Sequence, residues 1–487
     1  MTAGIDVADS QSSLRSRATR GAAWSGVSTI VLRMGGLVVG IVLAHILAPD
    51  QFGVYAVALT VQSILITVAD LGLSADLIRS GDPDRIAPTV ATLGLASGLV
   101  MGLVTIAGSS SLALLLGSPS AAPAIAVLAV TLILSGATVV PYGYLQRRFQ
   151  QREMFFVGVA DFTVSTVVTL VLIALGFGVL GLALGRVAAQ LVSSAMQFLL
   201  ARIKPRYSID RAVVGRVLAF GLPIAGANLL SWALLNVDNV VLARVTGATL
   251  LGFYVLAFNI SGWPMSALSQ VVRSISLPYF SRAPSGEDQL ASLTAIAWAG
   301  ALPVGAVLAA LSSPLIEVVY GVKWLPAAPV LAALGLYGSL RVVFDIFAGY
   351  LYARGRSRPV LWIQIVWLVA LTAGMIVATR MYGIIGAAWV HLIVAFAVIL
   401  PAYGFALRSS GARIGPFLRT AWWPTLATIP AVGAALIARG LIPDALPALL
   451  VGGFASLAVY TVLVLPWLRR RLQDARPAAS AKGTAEN

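Results

Sequence analysis

The stretch LAHILAPDQFGVYAVA, from Leu43 to Ala58, occurs a second time as LARVTGATLLGFYVLA, from Leu242 to Ala257. The two copies align without a gap at an offset of 199 residues and share five identical positions. Two further matches follow in the same order: Gly143-Tyr144-Leu145 with Gly349-Tyr350-Leu351 at an offset of 206, and GVLGLALGR (178–186) with GIIGAAWVH (383–391) at 205. The common order and near-constant offset predict that the chain contains two copies of one structural unit.

The composition is that of a membrane protein. Of the 487 residues, 59% are hydrophobic and 10% are charged, and the mean hydropathy is +0.92, whereas about a quarter of the residues of a soluble domain are charged. The chain has no Cys and two isolated His residues, so neither a disulfide framework nor a metal site is expected. No cofactor is expected either.

Apolar runs long enough to cross a bilayer as helices, about 20 residues each, predict an all-α integral membrane protein with fourteen spans. The first run, from Trp24 to Leu47, is longer than the apolar region of a signal peptide, so we expect a retained span. The spans are predicted at residues 24–47, 52–78, 87–116, 122–145, 156–176, 179–201, 217–246, 251–277, 291–311, 326–352, 359–379, 384–407, 417–438 and 446–467.

The net charge of +15 is explained by the membrane topology. If the N-terminus is cytoplasmic, 26 of the basic residues fall in predicted inner segments and only Lys323, Arg380 and Arg439 fall outside. This is the positive-inside pattern, and it favours cytoplasmic N- and C-termini. Binding of nucleic acid is disfavoured, because the basic residues are spread over eight short segments and form no single patch.

Six spans separate the two copies, so both copies have the same orientation and form a parallel repeat. The predicted organisation comprises a cytoplasmic N-terminal segment, two six-helix lobes, an inter-lobe linker, two added spans and a cytoplasmic tail. The linker is basic and could be an amphipathic interfacial helix or a solvated connection. The predicted boundaries are 1–22 for the N-terminal segment, 23–201 for the first lobe, 202–216 for the linker, 217–407 for the second lobe, 408–468 for spans 13 and 14, and 469–487 for the tail.

Four arginines lie inside predicted spans: Arg33, Arg186, Arg244 and Arg341. An arginine at mid-membrane costs at least about 2.5 to 3.5 kcal/mol, and such residues usually face a polar cavity or a partner. By the repeat, Arg244 is the counterpart of His45 and Arg186 is the counterpart of His391. This correspondence suggests two equivalent sites that face a shared polar space.

Each of these residues also has a structural interpretation. Arg33 could belong to an internal ion pair, and Arg244 and His45 could extend to the headgroups from outer helix ends. His391 could be a packing residue in the core of a lobe. Arg341 and Asp345 are four residues apart on one helix, so we expect them to pair with each other.

The carboxylates inside the spans can carry a coupling proton or cation, or they can neutralise an arginine. The candidates are Asp70, Asp161, Asp238 and Asp345, and for Asp238 we expect neutralisation of the nearby Arg244. The repeated Gly-x-Tyr segments at Gly53 and Gly252 are expected to form outer turns, with glycine allowing close backbone approach and tyrosine in the interfacial belt.

An enzyme is the less favoured class. The chain has no GxxxxGK[ST] motif, which excludes a nucleotide-driven motor of the P-loop type. The outer loops are short and poor in acids, whereas enzymes that act on sugars need an acid and a base at the reacting bond. The candidate acids for such an activity are Asp50, Glu317 and Asp444.

The two LAPDQFGVYAVA-type segments, the motif NVDNVVLAR (residues 236–244), the duplicated lobes and the two extra spans resemble a known family. The chain is similar, over roughly residues 15 to 470, to the polysaccharide-transport (Wzx-type flippase) branch of the multidrug/oligosaccharidyl-lipid/polysaccharide exporter superfamily. The resemblance implies a V-shaped pair of lobes that alternately opens a central cavity to either side of a bacterial plasma (inner) membrane. It also implies a cargo, a polyprenyl-pyrophosphate-linked oligosaccharide for lipopolysaccharide or exopolysaccharide synthesis.

Pyrophosphate is anionic, and arginine suits it as a bidentate donor. We therefore expect Arg33, Arg186 and Arg341 to favour the headgroup, while the lipid tail stays in the bilayer with the membrane lipids. Polysaccharide polymerase and glycosyltransferases are possible partners. The alternatives are a lipid II flippase, a drug/cation antiporter of the same superfamily and, less favoured, a membrane enzyme that acts on lipid-linked sugars.

Overall fold

The computed structural model describes residues 31–282, 287–412 and 415–474, together with Trp24 and Thr29, and within these ranges the chain is helical with no β-strand. The predicted N-terminal segment 1–22, Arg413 and the tail beyond residue 474 lie outside the described residues. The helices are α1 (Val31–Ile46), α2 (Pro49–Ala69), α3 (Leu73–Arg79), α4 (Pro83–Leu115), α5 (Ala122–Arg147), α6 (Gln151–Ala174), α7 (Val179–Ala201), α8 (Arg211–Arg282), α9 (Glu287–Ala310), α10 (Ser312–Tyr320), α11 (Ala328–Ala353), α12 (Ser357–Val394), α13 (Leu400–Arg408), α14 (Gly415–Leu441) and α15 (Ala445–Asp474).

The described helices account for fourteen membrane crossings. Eleven helical segments are long and apolar enough to span a bilayer, and α1 is a shorter apolar helix. Two of the eleven, Arg211–Arg273 and Ser357–Arg408, are long enough for two crossings each. They are divided by non-helical backbone at Gly247 and Gly383, where φ is 79° and 58°. With each of these segments counted twice and α1 included, the prediction of fourteen spans is confirmed.

The backbone repeats at the offsets predicted from the sequence. Helices α5 and α11 both have 26 residues and start 206 residues apart, each after a short 3-10 helix. Helices α6 and α12 also start 206 residues apart. The breaks before them both have a positive φ, 56° at Phe149 and 71° at Gly355, and the next breaks do as well, 51° at Gly178 and 58° at Gly383. The duplication is therefore present in the backbone conformation as well as in the amino-acid sequence.

The chain divides into two compact units, unit 1 from Met1 to Gly252 and unit 2 from Phe253 to Asn487. In unit 1, α4 packs on α5, α5 on α7 and α6 on α7; in unit 2, α9 packs on α11, α11 on α12, and α14 on both α9 and α15. Helix α8 contributes residues to both units, so the first half of this helix packs with unit 1. The predicted lobe boundary at 202–216 remains a prediction.

One local prediction was wrong, and one open alternative is decided. The predicted span 52–78 is interrupted where Leu71 and Gly72 adopt φ values of 48° and 65°, so it forms α2 and α3 in place of one helix. Of the two alternatives for the linker 202–216, a helix over the whole segment is not formed, because residues 203–210 are non-helical and α8 begins at Arg211. This non-helical segment is fixed to α4 by hydrogen bonds from Thr92 Oγ1 to Ser208 O (3.1 Å) and from Asp210 N to Thr89 Oγ1 (3.2 Å).

Candidate functional site

The clearest charged site in unit 1 is an ion pair between α6 and α7. Helix α7 approaches α6 closely, because a Cβ on Gly185 would lie 2.1 Å from Thr169 Oγ1 and one on Gly181 would lie 3.1 Å from Leu172 Cβ. Next to this contact, Arg186 Nη1 lies 2.7 Å from Asp161 Oδ2. The side chains are 35% and 25% exposed respectively. The glycine contact therefore fixes the spacing of the two helices at a pair that remains partly accessible.

Helix α1 carries a second cation to the same level of unit 1. A Cβ on Gly35 would lie 2.7 Å from the Phe162 ring, and a Cβ on Gly158 would lie 3.0 Å from Leu32 Cδ1. Arg33 lies between Leu32 and Gly35 on α1 and is exposed, while Asp161 lies between Gly158 and Phe162 on α6. The packing therefore places Arg33 and Asp161 at one level of the membrane.

In unit 2, the counterpart of Arg186 is a buried histidine held by two tyrosines. His391 is 3% exposed, and its Nε2 lies 2.9 Å from the hydroxyl of Tyr254, which is fully buried. The ring of Tyr337 lies 4.8 Å from the imidazole. In unit 1, the counterpart of Tyr254 is Tyr55, and Arg186 acts electrostatically on the Tyr55 hydroxyl. Both copies thus bring the tyrosine of the first repeated segment to the basic residue of the last one.

Helix α11 presents three polar residues at four-residue spacing, Tyr337, Arg341 and Asp345, which lie on one face of the helix. Arg341 is half-buried and acts electrostatically on His391. The predicted pair between Arg341 and Asp345 is wrong, because Asp345 Oδ1 lies 2.8 Å from Nη2 of Arg273 on α8. The Asp345 carboxylate is therefore paired with an arginine of another helix. Within the described residues, Arg341 forms no ion pair.

The remaining predicted residues are dispersed. His45, at the end of α1, and Arg244, just before the Gly247 break in α8, are both exposed at equivalent positions. Asp70 follows α2, and its backbone carbonyl oxygen accepts a hydrogen bond from Leu73 N at 2.9 Å, which stabilises the turn into α3. Asp238 is 3% exposed and its Oδ1 accepts from the backbone N–H of Asn239 at 2.9 Å. Neutralisation of Arg244 by Asp238 stays a prediction.

The repeated Gly-x-Tyr segments are helical, so the prediction of outer turns was wrong. Gly53 lies in α2 and Gly252 in α8. A Cβ on Gly53 would lie 1.7 Å from the carbonyl oxygen of Ala248, and a Cβ on Gly252 would lie 2.3 Å from that of Pro49. The predicted close backbone approach is confirmed, and the two glycines at equivalent positions of the repeat meet each other. Tyr254 is buried beside His391 and does not belong to an interfacial belt.

Sequence reasoning missed three members of these clusters. Arg273 was assigned to an inner loop because it lies near the predicted end of a span, but it lies within α8 and holds Asp345. Tyr55 and Tyr254 were assigned to turns. The repeat was the signal that could have linked each tyrosine to its basic partner, because Tyr254 and His391 follow their counterparts Tyr55 and Arg186 at offsets of 199 and 205.

Comparison with known proteins places these features in a family. The model of a family described as polysaccharide biosynthesis protein matches residues 42–329, which is more than half of the chain. The chain belongs to this family. The predicted resemblance to the polysaccharide-transport branch is thereby confirmed at the level of the family.

The similarity to two curated relatives extends over most of the chain. The chain is 27% identical to the succinoglycan biosynthesis transport protein ExoT of Rhizobium meliloti (strain 1021), with 96% of this chain and 98% of the relative covered. It is 25% identical to the lipopolysaccharide biosynthesis protein WzxC of Escherichia coli (strain K12), with 86% and 87% covered. Among solved structures, the lipid II flippase MurJ in an inward closed conformation matches with a TM-score of 0.75 at 15% identity, covering 91% of this chain and 99% of that one. At this identity the match shows a shared fold.

Proposed function

We propose that this protein is a flippase that moves a polyprenyl-pyrophosphate-linked oligosaccharide from the cytoplasmic to the outer face of the bacterial plasma membrane. The transport proceeds by alternating access and supplies surface polysaccharide biosynthesis. The observation that carries the proposal is the presence of arginines inside the spans of a polysaccharide biosynthesis protein, with Arg186 partly exposed and Arg341 outside any ion pair formed by the described residues.

The arginines suit the anionic headgroup of this cargo. A guanidinium group donates two parallel hydrogen bonds to phosphate oxygens, and such charge-assisted bonds are about twice as strong as neutral ones. An arginine inside a span is costly in the absence of an anion. At Arg341, which forms no ion pair with the described residues, binding of the pyrophosphate therefore offsets a cost that the empty protein carries. Arg186 could exchange its bond to Asp161 for one to the phosphate, and the proposed headgroup site comprises Arg33, Arg186 and Arg341.

Two relatives support this cargo over the alternatives. ExoT and WzxC carry names that refer to succinoglycan transport and to lipopolysaccharide biosynthesis, and their similarity extends over most of each chain. The likeness to the lipid II flippase is one of fold, so it does not favour lipid II as the cargo. The enzymatic alternative rests on Asp50, Glu317 and Asp444, which are exposed on three different segments. Cytoplasmic termini and cooperation with a polymerase and glycosyltransferases belong to the same proposal.

Transport in liposomes tests the proposal. With a fluorescent polyprenyl-pyrophosphate oligosaccharide in vesicles of Escherichia coli lipid, we expect the wild-type protein to move the probe between leaflets. We expect Arg341→Ala and Arg186→Ala each to slow this movement roughly tenfold, because each loses a charge-assisted phosphate contact of about 1.5 to 3 kcal/mol. Arg341→Ala is the cleaner variant, since it leaves no carboxylate without its partner.

The matched control is Arg380→Ala, which removes an exposed arginine near the Gly383 break and is expected to leave the rate within twofold of wild type. Movement of lipid II or of a cationic drug, together with no movement of the oligosaccharide probe, would place the protein in another branch of the superfamily. Equal rates for all three arginine variants would contradict headgroup capture at these sites.

A further inference from the structure

The turns before α6 and α12 repeat one pattern of basic residues that the proposed function does not use. GYLQRRFQQR (143–152) aligns with GYLYARGRSR (349–358) at an offset of 206, and the two segments end on Arg152 and Arg358. At the same offset, Arg202 follows α7 and Arg408 ends α13. All four side chains are exposed. Each copy of the repeat therefore carries two equivalent exposed arginines at helix ends.

Hydrogen bonds join the two helix ends of each copy. In unit 1, Arg148 Nη1 donates to the carbonyl oxygen of Ala201 at 2.9 Å, which joins the turn before α6 to the end of α7. In unit 2, Arg356 Nη1 donates to Ser409 Oγ at 3.2 Å, which joins the turn before α12 to the end of α13. Each bond connects residues that lie within four positions of the two exposed arginines. The two arginines of a copy therefore lie at one end of neighbouring helices.

An exposed apolar side chain lies one helical turn further into the span from each arginine. Trp362 lies four residues after Arg358 and is 64% exposed, and Phe405 lies three residues before Arg408 and is 79% exposed. Residues at these spacings share one face of a helix. Their counterparts in unit 1, which are also exposed, are Phe156 and Leu199. Such a surface fits an amphiphile, because the cations face its anionic head and the apolar side chains face its hydrocarbon tail.

The surface in unit 2 has an excess of positive charge. In unit 1, the acidic Glu153 directly follows Arg152, whereas the equivalent position in unit 2 is Pro359. The nearest acids at this end of unit 2 in the sequence begin α9, Glu287 and Asp288, and the arginines outnumber them. Segments 349–362 and 399–412 contain no acidic residue and four arginines, namely Arg354, Arg356, Arg358 and Arg408. An anionic ligand is therefore favoured over a zwitterionic one, and more strongly in unit 2 than in unit 1.

We propose that Arg358 and Arg408 bind the phosphate of an anionic phospholipid such as phosphatidylglycerol, with an acyl chain lying on Trp362 and Phe405. A guanidinium group matches a phosphate with two parallel hydrogen bonds. The occupant is a lipid and not a soluble phosphate, because only a lipid covers the apolar residues of the spans. Unit 1 carries a weaker copy of this site. The inference goes beyond the proposed function, and it does not depend on the identity of the cargo.

Lipid titration of the purified full-length protein in detergent, measured by native mass spectrometry, tests the site. The probes are phosphatidylglycerol and phosphatidylcholine with identical acyl chains, and we expect wild type to bind the former at least fivefold more tightly. Arg358→Gln and Arg408→Gln should each weaken phosphatidylglycerol binding about fivefold, the effect of one basic residue near anionic headgroups. Both should leave phosphatidylcholine binding within twofold of wild type. Trp362→Ala should weaken the binding of both lipids by a similar factor, because it removes apolar contact and no charge.

The matched control is Arg380→Gln, which removes an exposed arginine near the opposite end of the same span, before the Gly383 break. Its affinity for phosphatidylglycerol should stay within twofold of wild type. Millimolar glycerol 3-phosphate should not displace the bound lipid, because it has no acyl chain. The inference is overturned if Arg358→Gln and Arg408→Gln bind phosphatidylglycerol as tightly as Arg380→Gln does. It is also overturned if wild type does not distinguish the two lipids, or if glycerol 3-phosphate displaces phosphatidylglycerol.

Competition with a C15 isoprenyl-pyrophosphate-linked disaccharide separates this inference from the proposed function. If the disaccharide probe displaces phosphatidylglycerol from wild type and its own binding is lost in Arg358→Gln, these arginines bind the cargo and the phospholipid site is refuted. If wild type shows the expected lipid preference but moves no oligosaccharide probe in liposomes, the proposed flippase function is refuted and the phospholipid site stands. The two proposals can therefore fail independently.

Discussion

Replacing Gly53 with alanine is expected to lower the free energy of unfolding by about 3 kcal/mol, the upper end of the usual cost of overpacking. The reason is that the new Cβ would lie 1.7 Å from the carbonyl oxygen of Ala248 and 3.1 Å from the backbone nitrogen of Gly252. No rotamer change can relieve a collision between two backbones, so α2 and α8 must move apart. Gly252→Ala places its Cβ 2.3 Å from Pro49 O and is expected to have a similar effect.

This loss is measured by unfolding the purified protein in detergent with heat or with SDS. The remaining folded fraction is monitored by size-exclusion chromatography. The matched control is Gly40→Ala, a helical glycine on α1 whose new Cβ would meet no described residue outside its own stretch of helix within 4 Å. It should be neutral or stabilising by about 0.5 to 1 kcal/mol, because alanine restricts the unfolded chain and favours the helix. If Gly53→Ala proved as stable as Gly40→Ala, the two backbones could not be in contact as described.

The duplication was predictable because equivalent segments of sequence recur in the same order, and because glycine stands at equivalent breaks between helices. Gly178 and Gly383 begin equivalent helices, and both have a positive φ, 51° and 58°. An apolar run of span length can be recognised from hydropathy alone. The break at Leu71 was not predictable, because a leucine with φ of 48° gives no local signal. Its conformation is set by the contact of the α2–α3 turn with Gly221, whose Cβ would lie 2.1 Å from Leu71 O.

The sequence indicated which charged residues lie inside the spans, but it did not indicate which of them pair with each other. Asp161 and Arg186 are 25 residues apart on two helices, and their pairing depends on how far each helix is rotated, which the glycine contacts of α7 determine. The four-residue spacing of Arg341 and Asp345 indicated a local pair, yet the carboxylate binds Arg273 from another helix. Within an isolated helix such spacing contributes only about 0.2 to 0.5 kcal/mol. A partner that approaches from a neighbouring helix can outweigh that energy.

The second large effect is expected at His391, the counterpart of Arg186 in the second copy. His391→Arg is expected to destabilise the protein by more than about 3 kcal/mol, because it places a permanent charge at a position that is 3% exposed and near Arg341. In the first copy the same charge is tolerated since Asp161 neutralises it. At the offset of 206, the position equivalent to Asp161 holds Trp367, whose ring lies 6.5 Å from that of Tyr337.

Comparison with His391→Gln separates the effect of the added charge from the effect of losing the imidazole ring. Glutamine can still form a hydrogen bond with the Tyr254 hydroxyl, so we expect a loss of about 1 kcal/mol, measured by the same unfolding assays. Adding Trp367→Asp to His391→Arg recreates the ion pair of the first copy, so the double variant should be more stable than the sum of the losses of the two single variants predicts. If His391→Arg were as stable as His391→Gln, the surroundings of His391 would already accept a cation. The equivalent positions of the two copies would then differ in residue type, but both would tolerate a positive charge.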